Sequence, residues 1–255
     1  MSNTEEKKMP NDIIVKGKVK SVIQGIDDDQ VLIHYHDTVT AGNGKKKDHP
    51  KGKGEINAKI SSLIFQQLER ATIKTHFIQS AGPGIMRCKK VDIIPIEVVV
   101  RNVADGSIVR ETTIPKDTVF NPPLVEFYLK DDDKNDPLLT EDRLTLMGYT
   151  NLRRIKQYAK ETNAVVSDLF KRIGITLIDF KLEFGTTVNG DIVVADEISP
   201  DGCRLRNKET NQSMDKDLFR KGTGDIIAAY TEIMDKLIEI CWIMVKKQLK
   251  RYLKI

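Results

Sequence analysis

The most regular alternation of apolar and polar positions lies between residues 175 and 184, with the sequence ITLIDFKLEF. Successive side chains on a β-strand point to opposite faces of the sheet. One face of the predicted strand is therefore apolar, whereas the other carries Asp179, Lys181 and Glu183. The pattern predicts a strand that packs one face on the core and places a carboxylate, an amine and a carboxylate on the other.

A hairpin is predicted to follow, because Asn189-Gly190 lies between two strand-like runs. Asn-Gly favours a two-residue type I′ turn, in which both central residues have positive φ. In that register Val188 pairs with Asp191, and Glu183 lies directly opposite Asp196. Opposed like charges destabilise a sheet, so this pair predicts a divalent cation with oxygen ligands. Solvation of both carboxylates at the surface is the alternative, and a one-residue bulge would turn Asp196 to the other face.

The predicted hairpin ends in an acidic, turn-forming cluster, residues 196–202, with the sequence DEISPDG. Arg204 and Arg206 follow directly. Carboxylates can bind a cation, and guanidinium groups bind phosphate or carboxylate. Their proximity indicates a site for a metal-bound phosphate compound.

Two earlier stretches combine glycine with lysine. Residues 13–24 are predicted as one strand in which Gly17 lets a ligand approach the backbone, although a lysine-rich edge strand is the alternative. Residues 37–54 are predicted as a long loop, suited either to oxyanion binding or to plain solvation. Neither stretch decides between these possibilities by itself.

A buried strand is predicted over residues 91–103, and Arg101 lies near its end. The turn at residues 104–107 then returns the chain into residues 108–113. A cation that emerges from a buried strand beside a Gly-Ser turn is typical of an anion pocket. An ordinary surface turn is the alternative.

The remaining pattern places strands early and helices late. Apolar stripes of helical period predict helices over residues 55–71, 152–173 and 225–249, and Asp215 begins a shorter helix. Further strands are predicted over residues 31–35, 75–79, 85–88 and 124–130. No βαβ alternation and no repeat is found, so the predicted class is α+β.

Composition narrows the functional classes. The chain has 255 residues, 40% hydrophobic and 31% charged, which is typical of a globular protein with one or two domains. A net charge of +4 and an aromatic content of 6% do not favour nucleic-acid binding. Three widely spaced cysteines indicate a reducing compartment. The N-terminus is polar, unlike a secretory signal, and charged residues interrupt the most apolar late segment, unlike a membrane span. A cytosolic protein is therefore expected.

Five segments of the sequence then occur in one order: GKVK at 17–20, DTVTAGNG at 37–44, VVRN at 99–102 with Gly106-Ser107, DFKLEFG at 179–185 and DEISPD at 196–201. The series resembles the phosphoribosylaminoimidazole-succinocarboxamide (SAICAR) synthases of purine biosynthesis, from about residue 15 to residue 238. The resemblance implies a two-lobed α+β fold with antiparallel sheets, flanking helices and an ATP cleft between the lobes. The nucleotide-binding lobe is expected over residues 1–93, and a substrate lobe with the terminal helices over 94–255.

The same resemblance implies an ATP-dependent ligase. It would join L-aspartate to 5-amino-1-(5-phospho-D-ribosyl)imidazole-4-carboxylate, giving SAICAR, ADP and phosphate, with Mg²⁺ and as a cytoplasmic homodimer. No Gly-x-Ser-x-Gly, Walker or GxGxxG motif is present. An acyl phosphate formed from ATP would need no enzyme nucleophile. A small-molecule kinase with the same MgATP apparatus is the alternative, although Asp179-Phe180 is followed by Lys181 rather than glycine; a non-catalytic binding module is a third possibility.

Site residues carried over from the family fall into three groups. The nucleotide is expected at Gly17, Lys18, Val19, Lys20, Cys88, Lys89, Val91, Lys130, Glu183 and Asp196. The last two would also bind the metal. The substrate is expected at Arg101, Ser107, Asp201 and Arg204, and the predicted catalytic residues are Lys181, Asp201 and Arg204.

Two positions and one segment depart from the family pattern. Asn43 stands where many relatives carry an acidic residue, so no direct metal ligand is expected there. Cys203 replaces a small hydroxyl residue. Residues 241–255, with Trp242 and five lysine or arginine residues, extend beyond the expected length of the family, and the sequence assigns them no role.

Overall fold

The structure is a computed structural model that describes residues 12–25, 27–41 and 45–252, with the backbone alone for residues 132, 251 and 252. In chain order, the described strands are β1 Ile13–Lys16, β2 Lys20–Gln24, β3 Gln30–Tyr35, β4 Val39–Ala41, β5 Lys46–Asp48, β6 Phe77–Ser80, β7 Ile85–Lys89, β8 Val91–Val103, β9 Val119–Leu129, β10 Leu138–Leu139, β11 Ile175–Thr187, β12 Ile192–Ala195 and β13 Cys203–Asn207. The α-helices are α1 Lys53–Arg70, α2 Ser107–Glu111, α3 Glu141–Leu146, α4 Leu152–Arg172, α5 Asp217–Lys221 and α6 Ile226–Tyr252. Antiparallel sheets with flanking helices confirm the predicted α+β class.

The first sheet has the order β1-β2-β3-β7-β6, and every neighbouring pair is antiparallel. Helix α1 packs against it and buries Ile60, Ile64 and Leu68 completely, as the helical stripe predicted. The helix begins very close to β3, because a Cβ atom on Gly54 would lie 2.6 Å from the carbonyl oxygen of Tyr35. Only glycine permits that approach.

The prediction of one strand over residues 13–24 is wrong. The chain reverses between β1 and β2, so that Lys16 pairs with Ser21, and the Gly17 N–H donates to the Lys20 carbonyl oxygen at 2.8 Å. Apolar and polar residues alternate in the same way on both sides of the turn, so the sequence pattern did not show that the chain reverses there. Gly17, Lys18 and Val19 therefore lie at the tip of a hairpin.

The second sheet has the order β10-β9-β8-β11-β12, and β13 pairs with β11 next to β12. Strand β11 is central, since β8 pairs along one edge while β12 and β13 share the other. Phe180 and Leu182 on its apolar face are completely buried. Asp179 and Glu183 on the charged face are also buried. The groups packed around those carboxylates therefore shield them from solvent.

The turn between β11 and β12 differs from the predicted one. Thr187 N–H donates to the Asp191 carbonyl oxygen at 2.9 Å, so the loop has three residues, with Gly190 at φ 81°. A three-residue loop with a left-handed glycine is the next commonest hairpin after the two-residue form. The pairing shifts by one residue, which places Glu183 opposite Ala195 instead of Asp196.

Two segments predicted as irregular or extended have other structures. Strands β4 and β5 form a small antiparallel pair within residues 37–54, and the turn at 104–107 leads into α2. Strand β13 and helix α3 were not predicted. Helices α4, α5 and α6 confirm the three later helical predictions. Asn43 lies outside the described residues.

Among the described helices, none combines the length and the apolar content needed to cross a lipid bilayer.

Candidate active site

A cleft lies where the two sheets meet. Val194, in β12, donates its N–H to the Lys74 carbonyl oxygen at 3.0 Å and accepts from the His76 N–H at 2.9 Å. These bonds join β12 to the segment before β6, and the contact between Lys20 and Asp196 brings the end of β12 beside the β1–β2 hairpin. The cavity at this point has a volume of about 680 Å³ and is lined by Lys16, Gly17, Lys18, Val19, Lys20, Lys130, Lys181, Glu183, Asp196, Glu197, Asp201, Gly202 and Lys216.

One wall of the cleft carries a lysine between two carboxylates. Lys20 Nζ lies 2.5 Å from Asp196 Oδ1 and 2.9 Å from Glu197 Oε1. Asp196 directly follows β12 and has φ 62°, which turns the chain out of the strand direction. Burial opposes ionisation of both partners, but the opposite charges prevail: the pKa of Lys20 is raised, and Lys20 and Lys181 hold the pKa of Asp196 well below its usual range.

The floor of the cleft is formed by the charged face of β11. Lys181 Nζ lies 2.6 Å from Glu97 Oε1 on β8 and 3.2 Å from Glu183 Oε1. Lys130 Nζ lies 2.6 Å from Glu183 Oε2. Burial disfavours the ammonium form of Lys181, but Glu183 and Glu97 raise its pKa. Each oxygen of Glu183 therefore has its own lysine.

The predicted carboxylate pair meets in this cavity, although not as cross-strand neighbours. Among the residues that the structure describes, no three His, Cys, Asp or Glu side chains lie close enough together to hold a metal ion. Mg²⁺, however, usually keeps several waters and binds one or two carboxylates together with substrate phosphates. Glu183 and Asp196 fit that requirement and do not fit a metal held by protein alone.

A second cavity of about 700 Å³ adjoins the first, since Lys18, Lys181 and Lys216 line both. Gly106, at φ 69°, precedes α2, and a Cβ atom there would lie 2.5 Å from Arg204 Cζ. The glycine thus allows the guanidinium group to lie against the turn. The cavity carries a net positive charge. Its basic side chains, which also include Arg110, Arg204, Arg220 and Lys221, outnumber its four carboxylates, Glu97, Asp105, Asp136 and Asp217.

Arg101 lies beside this cavity in a buried network. Its Nε donates to Glu126 at 2.6 Å, Nη1 to Asp179 at 3.0 Å and Nη2 to Ser107 at 2.8 Å. Its other N–H groups bond to a backbone carbonyl and a tyrosine hydroxyl, so its donors are all used. Arg204 donates to both oxygens of Asp179, at 3.0 and 2.9 Å. Arg204 lines the cavity directly, whereas Arg101 fixes Ser107 and Asp179 around it.

Asp201 is held by two helices. The buried Lys53 of α1 forms an ion pair with Asp201 Oδ2 and donates to the Thr38 carbonyl oxygen at 3.1 Å. The buried Tyr230 of α6 donates its hydroxyl to Asp201 Oδ1 at 2.9 Å. Both carboxylate oxygens are therefore engaged within the protein. This arrangement is typical of an anchor for the loop that carries Asp196.

The predicted adenine contacts lie behind the cleft. Cys88 is completely buried in β7, Lys89 Nζ donates to the Thr75 carbonyl oxygen at 3.1 Å, and Val91 begins β8 against Gly185. None of the three predicted residues lines the cavity of Lys20 and Asp196. They lie in the connection between the two sheets, and their contact with adenine stays a prediction.

Known proteins of one family match this chain in sequence and in fold. The family model of SAICAR synthetase matches residues 13–237. The chain belongs to the SAICAR synthetase family. It is 46% identical to the phosphoribosylaminoimidazole-succinocarboxamide synthase of Oceanobacillus iheyensis, over 88% of this chain and 97% of that protein. The corresponding synthase of Methanocaldococcus jannaschii is also 46% identical, over 91% and 95%. A solved SAICAR synthetase (type 2) in complex with ADP superposes with a TM-score of 0.85 at 43% identity, covering 88% of this chain and 96% of that chain.

Several groups in this cleft were not predicted from the sequence. Lys216, just before α5, lines both cavities, and burial lowers its pKa. Glu97 and Glu197 pair with the lysines of the cleft, and Lys53 holds Asp201. A lysine between two aspartates, as in residues 215–217, also occurs on solvated surfaces. Only the packing of α5 against the cleft distinguishes Lys216 from such surface lysines.

Proposed function

We propose that the chain catalyses the ATP-dependent joining of L-aspartate to 5-amino-1-(5-phospho-D-ribosyl)imidazole-4-carboxylate, giving SAICAR, ADP and phosphate. The observation that carries this proposal is the pair of adjoining cavities with Lys18, Lys181 and Lys216 between them. One combines lysines with carboxylates, as a metal-bound triphosphate requires. The other is rich in arginine, as a phosphorylated ribonucleotide requires. The similar synthetase solved with ADP supports a nucleotide in the first cavity.

Each cavity then has a defined set of partners. The hairpin tip from Gly17 to Lys20 covers the triphosphate, Lys130 adds a further phosphate contact, and residues 88–91 border the adenine. Glu183 and Asp196 would hold a magnesium ion, which would offset phosphate charge when bound. Arg204 binds the phosphate of the ribonucleotide, and Arg101 with Ser107 shapes that site.

Activation of the carboxylate comes before amide formation. A carboxylate oxygen of the ribonucleotide attacks the γ-phosphorus of ATP, the bond to the bridging oxygen breaks, and ADP leaves. The amine of aspartate then attacks the acyl carbon, loses a proton and expels phosphate. Lys181, between the cavities, offsets the negative charge on the transferring group. Burial raises the pKa of the Cys88 and Cys203 thiols, so neither is a competent nucleophile.

Isotope transfer tests this route. A ribonucleotide carboxylate labelled with oxygen-18 should give up one labelled oxygen to the released phosphate. Unlabelled phosphate, formed while SAICAR accumulates, would exclude the acyl phosphate.

The kinase alternative predicts that ADP appears with the ribonucleotide alone and that a stable phosphorylated product forms. We expect ADP release to require aspartate as well. The relatives described above give the kinase no support.

We also propose the two-lobed division at residues 1–93 and 94–255. Along the chain the first sheet ends with β7 at Lys89 and the second begins with β8 at Val91. The change of sheet thus supports a boundary near residue 90, whereas residues 93 and 94 both lie within β8. A homodimer and a cytoplasmic location remain predictions of the family resemblance. The three buried, unpaired cysteines support a reducing compartment. Sedimentation of the purified protein tests the dimer.

A further inference from the structure

Helix α6 continues beyond the family match. Its first half packs on the protein, where Tyr230, Ile233 and Leu237 are completely buried. The family match ends at residue 237, but the helix extends to Tyr252. In this second half large apolar side chains are exposed, including Trp242 at 59% and Leu249 at 55%.

Three exposed side chains and one half-buried side chain, that of Val245, form a regular stripe. Ile238, Trp242, Val245 and Leu249 follow one another at intervals of four, three and four residues, which is the heptad spacing of a coiled coil. At 100° per residue the four lie within an arc of about 60°. We call them the α6 seam. Single exposed apolar residues are ordinary, but a contiguous stripe marks a contact surface.

Charged residues beside the seam change sign along the helix. Asp235 and Glu239 come first, and Lys246 and Lys250 follow on the same flank. None of these four side chains forms an ion pair with another described residue. Lys246 and Lys250 are one helical turn apart, where like charges destabilise a helix. The flank therefore presents an acidic half and a basic half, and neither forms an ion pair within the part of the chain that the structure describes.

We propose that the α6 seam binds the α6 seam of a second copy of this chain, with the two helices antiparallel. In an antiparallel pair each flank faces the same flank of the other helix, so acidic and basic halves meet. Glu239 of each copy then lies near Lys246 of the other, twice by two-fold symmetry. A parallel pair would align acidic with acidic halves. A bilayer would bring Asp235 and Glu239 against lipid beside Ile238, which is unfavourable.

The seam is short, since residues 238–249 span about 18 Å of helix. Four side chains from each copy correspond to a small interface, below about 1,200 Å² in total. The association should therefore be reversible and depend on protein concentration. It does not depend on the proposed ligase reaction, because the seam lies outside both cavities. It is also separate from the homodimer implied by the family, because it begins where the family match ends.

Trp242 allows a specific test, because it is the only tryptophan in the chain. We expect quenching of its fluorescence by acrylamide to fall as the concentration of the intact protein rises, together with a rise in sedimentation coefficient. Leu249→Glu should abolish both changes while circular dichroism and ligase turnover stay the same. Val188→Glu is the matched control, because Val188 is 76% exposed on the β11–β12 loop. It should change neither measurement.

Charge exchange tests the antiparallel direction. Glu239→Lys and Lys246→Glu should each raise the dissociation constant about tenfold, because two attractive pairs become repulsive. The double exchange should restore it. Single exchanges without effect, or no self-association at the highest soluble concentration, would overturn the proposal. Association with vesicles of anionic lipid that Glu239→Lys strengthens would also overturn it, and would identify the seam as a membrane contact.

Discussion

Asp201 is a predicted catalytic residue, but its partners indicate an anchor, and Tyr230→Phe separates the two roles. The Tyr230 hydroxyl donates to Asp201 Oδ1 at 2.9 Å in a buried setting, while Lys53 holds the other oxygen. A hydrogen bond to a charged group contributes about 1.5–3 kcal/mol, and loss of one hydroxyl removes little apolar contact. We expect Tyr230→Phe to lower the free energy of unfolding by about 1.5–3 kcal/mol.

Loosening of the same loop should also move Asp196, so that KM for ATP rises more than kcat falls. Urea denaturation and steady-state kinetics measure the two effects. Tyr158→Phe is the control: the Tyr158 hydroxyl accepts from Arg154 at 2.6 Å on α4 and lines neither cavity. It should lower stability without changing KM for ATP. If Tyr230→Phe lowered kcat alone and left stability unchanged, the anchor interpretation would be refuted.

Three further predictions concern charges in and behind the cleft. Lys20→Ala should raise KM for ATP more than that for the ribonucleotide, and Arg204→Ala should do the reverse; equal effects on both substrates would disprove the division into two phosphate sites. Asp196→Asn should weaken MgATP binding in calorimetry with the fold intact, and unchanged affinity and turnover would contradict its role. Burial lowers the pKa of His76 to about 4 from 6.5. Between pH 6.5 and 4 the unfolded state therefore binds a proton that the folded state does not, and the free energy of unfolding should fall by at most about 3 kcal/mol. His76→Phe should remove this loss, as measured by urea denaturation at several pH values.

Long periodic segments were predictable from the sequence. Strand β8 has the predicted bounds of residues 91–103, and α4 and α6 lie within a few residues of their predicted ends. In each of these segments the apolar residues keep the spacing of a helix or of a strand over three or more repeats. Burial of the apolar face then favours the same structure that the spacing predicts. The alternation in β11 likewise predicted which carboxylates would share a face. The burial of the carboxylates on that face could not be predicted, because it depends on how the surrounding segments pack.

Local reversals were harder to predict. The turn at Gly17 and the third residue in the loop before Gly190 each depend on one residue, and neither changes the apolar pattern around it. Lys53 and Lys216 could not be identified, because their roles come from contacts with segments more than a dozen residues away. No local period records such contacts. The sequence resemblance identified the cleft, whereas the network that holds Asp201 required the structure.

The observed register of the β11–β12 hairpin differs from the predicted one, and this changes which groups offset the charges of the carboxylate pair. If Glu183 and Asp196 were cross-strand neighbours, they would repel each other permanently and require a cation for folding. Instead, the left-handed conformation of Asp196 directs it to Lys20, while Glu183 bonds to Lys130 and Lys181. The charges of both carboxylates are thus offset by lysines. We expect an entering triphosphate to compete for the same ammonium groups, so that each lysine that turns to a phosphate leaves a carboxylate oxygen for the accompanying cation. On the proposed function, nucleotide and magnesium should therefore favour each other's binding through this exchange of partners.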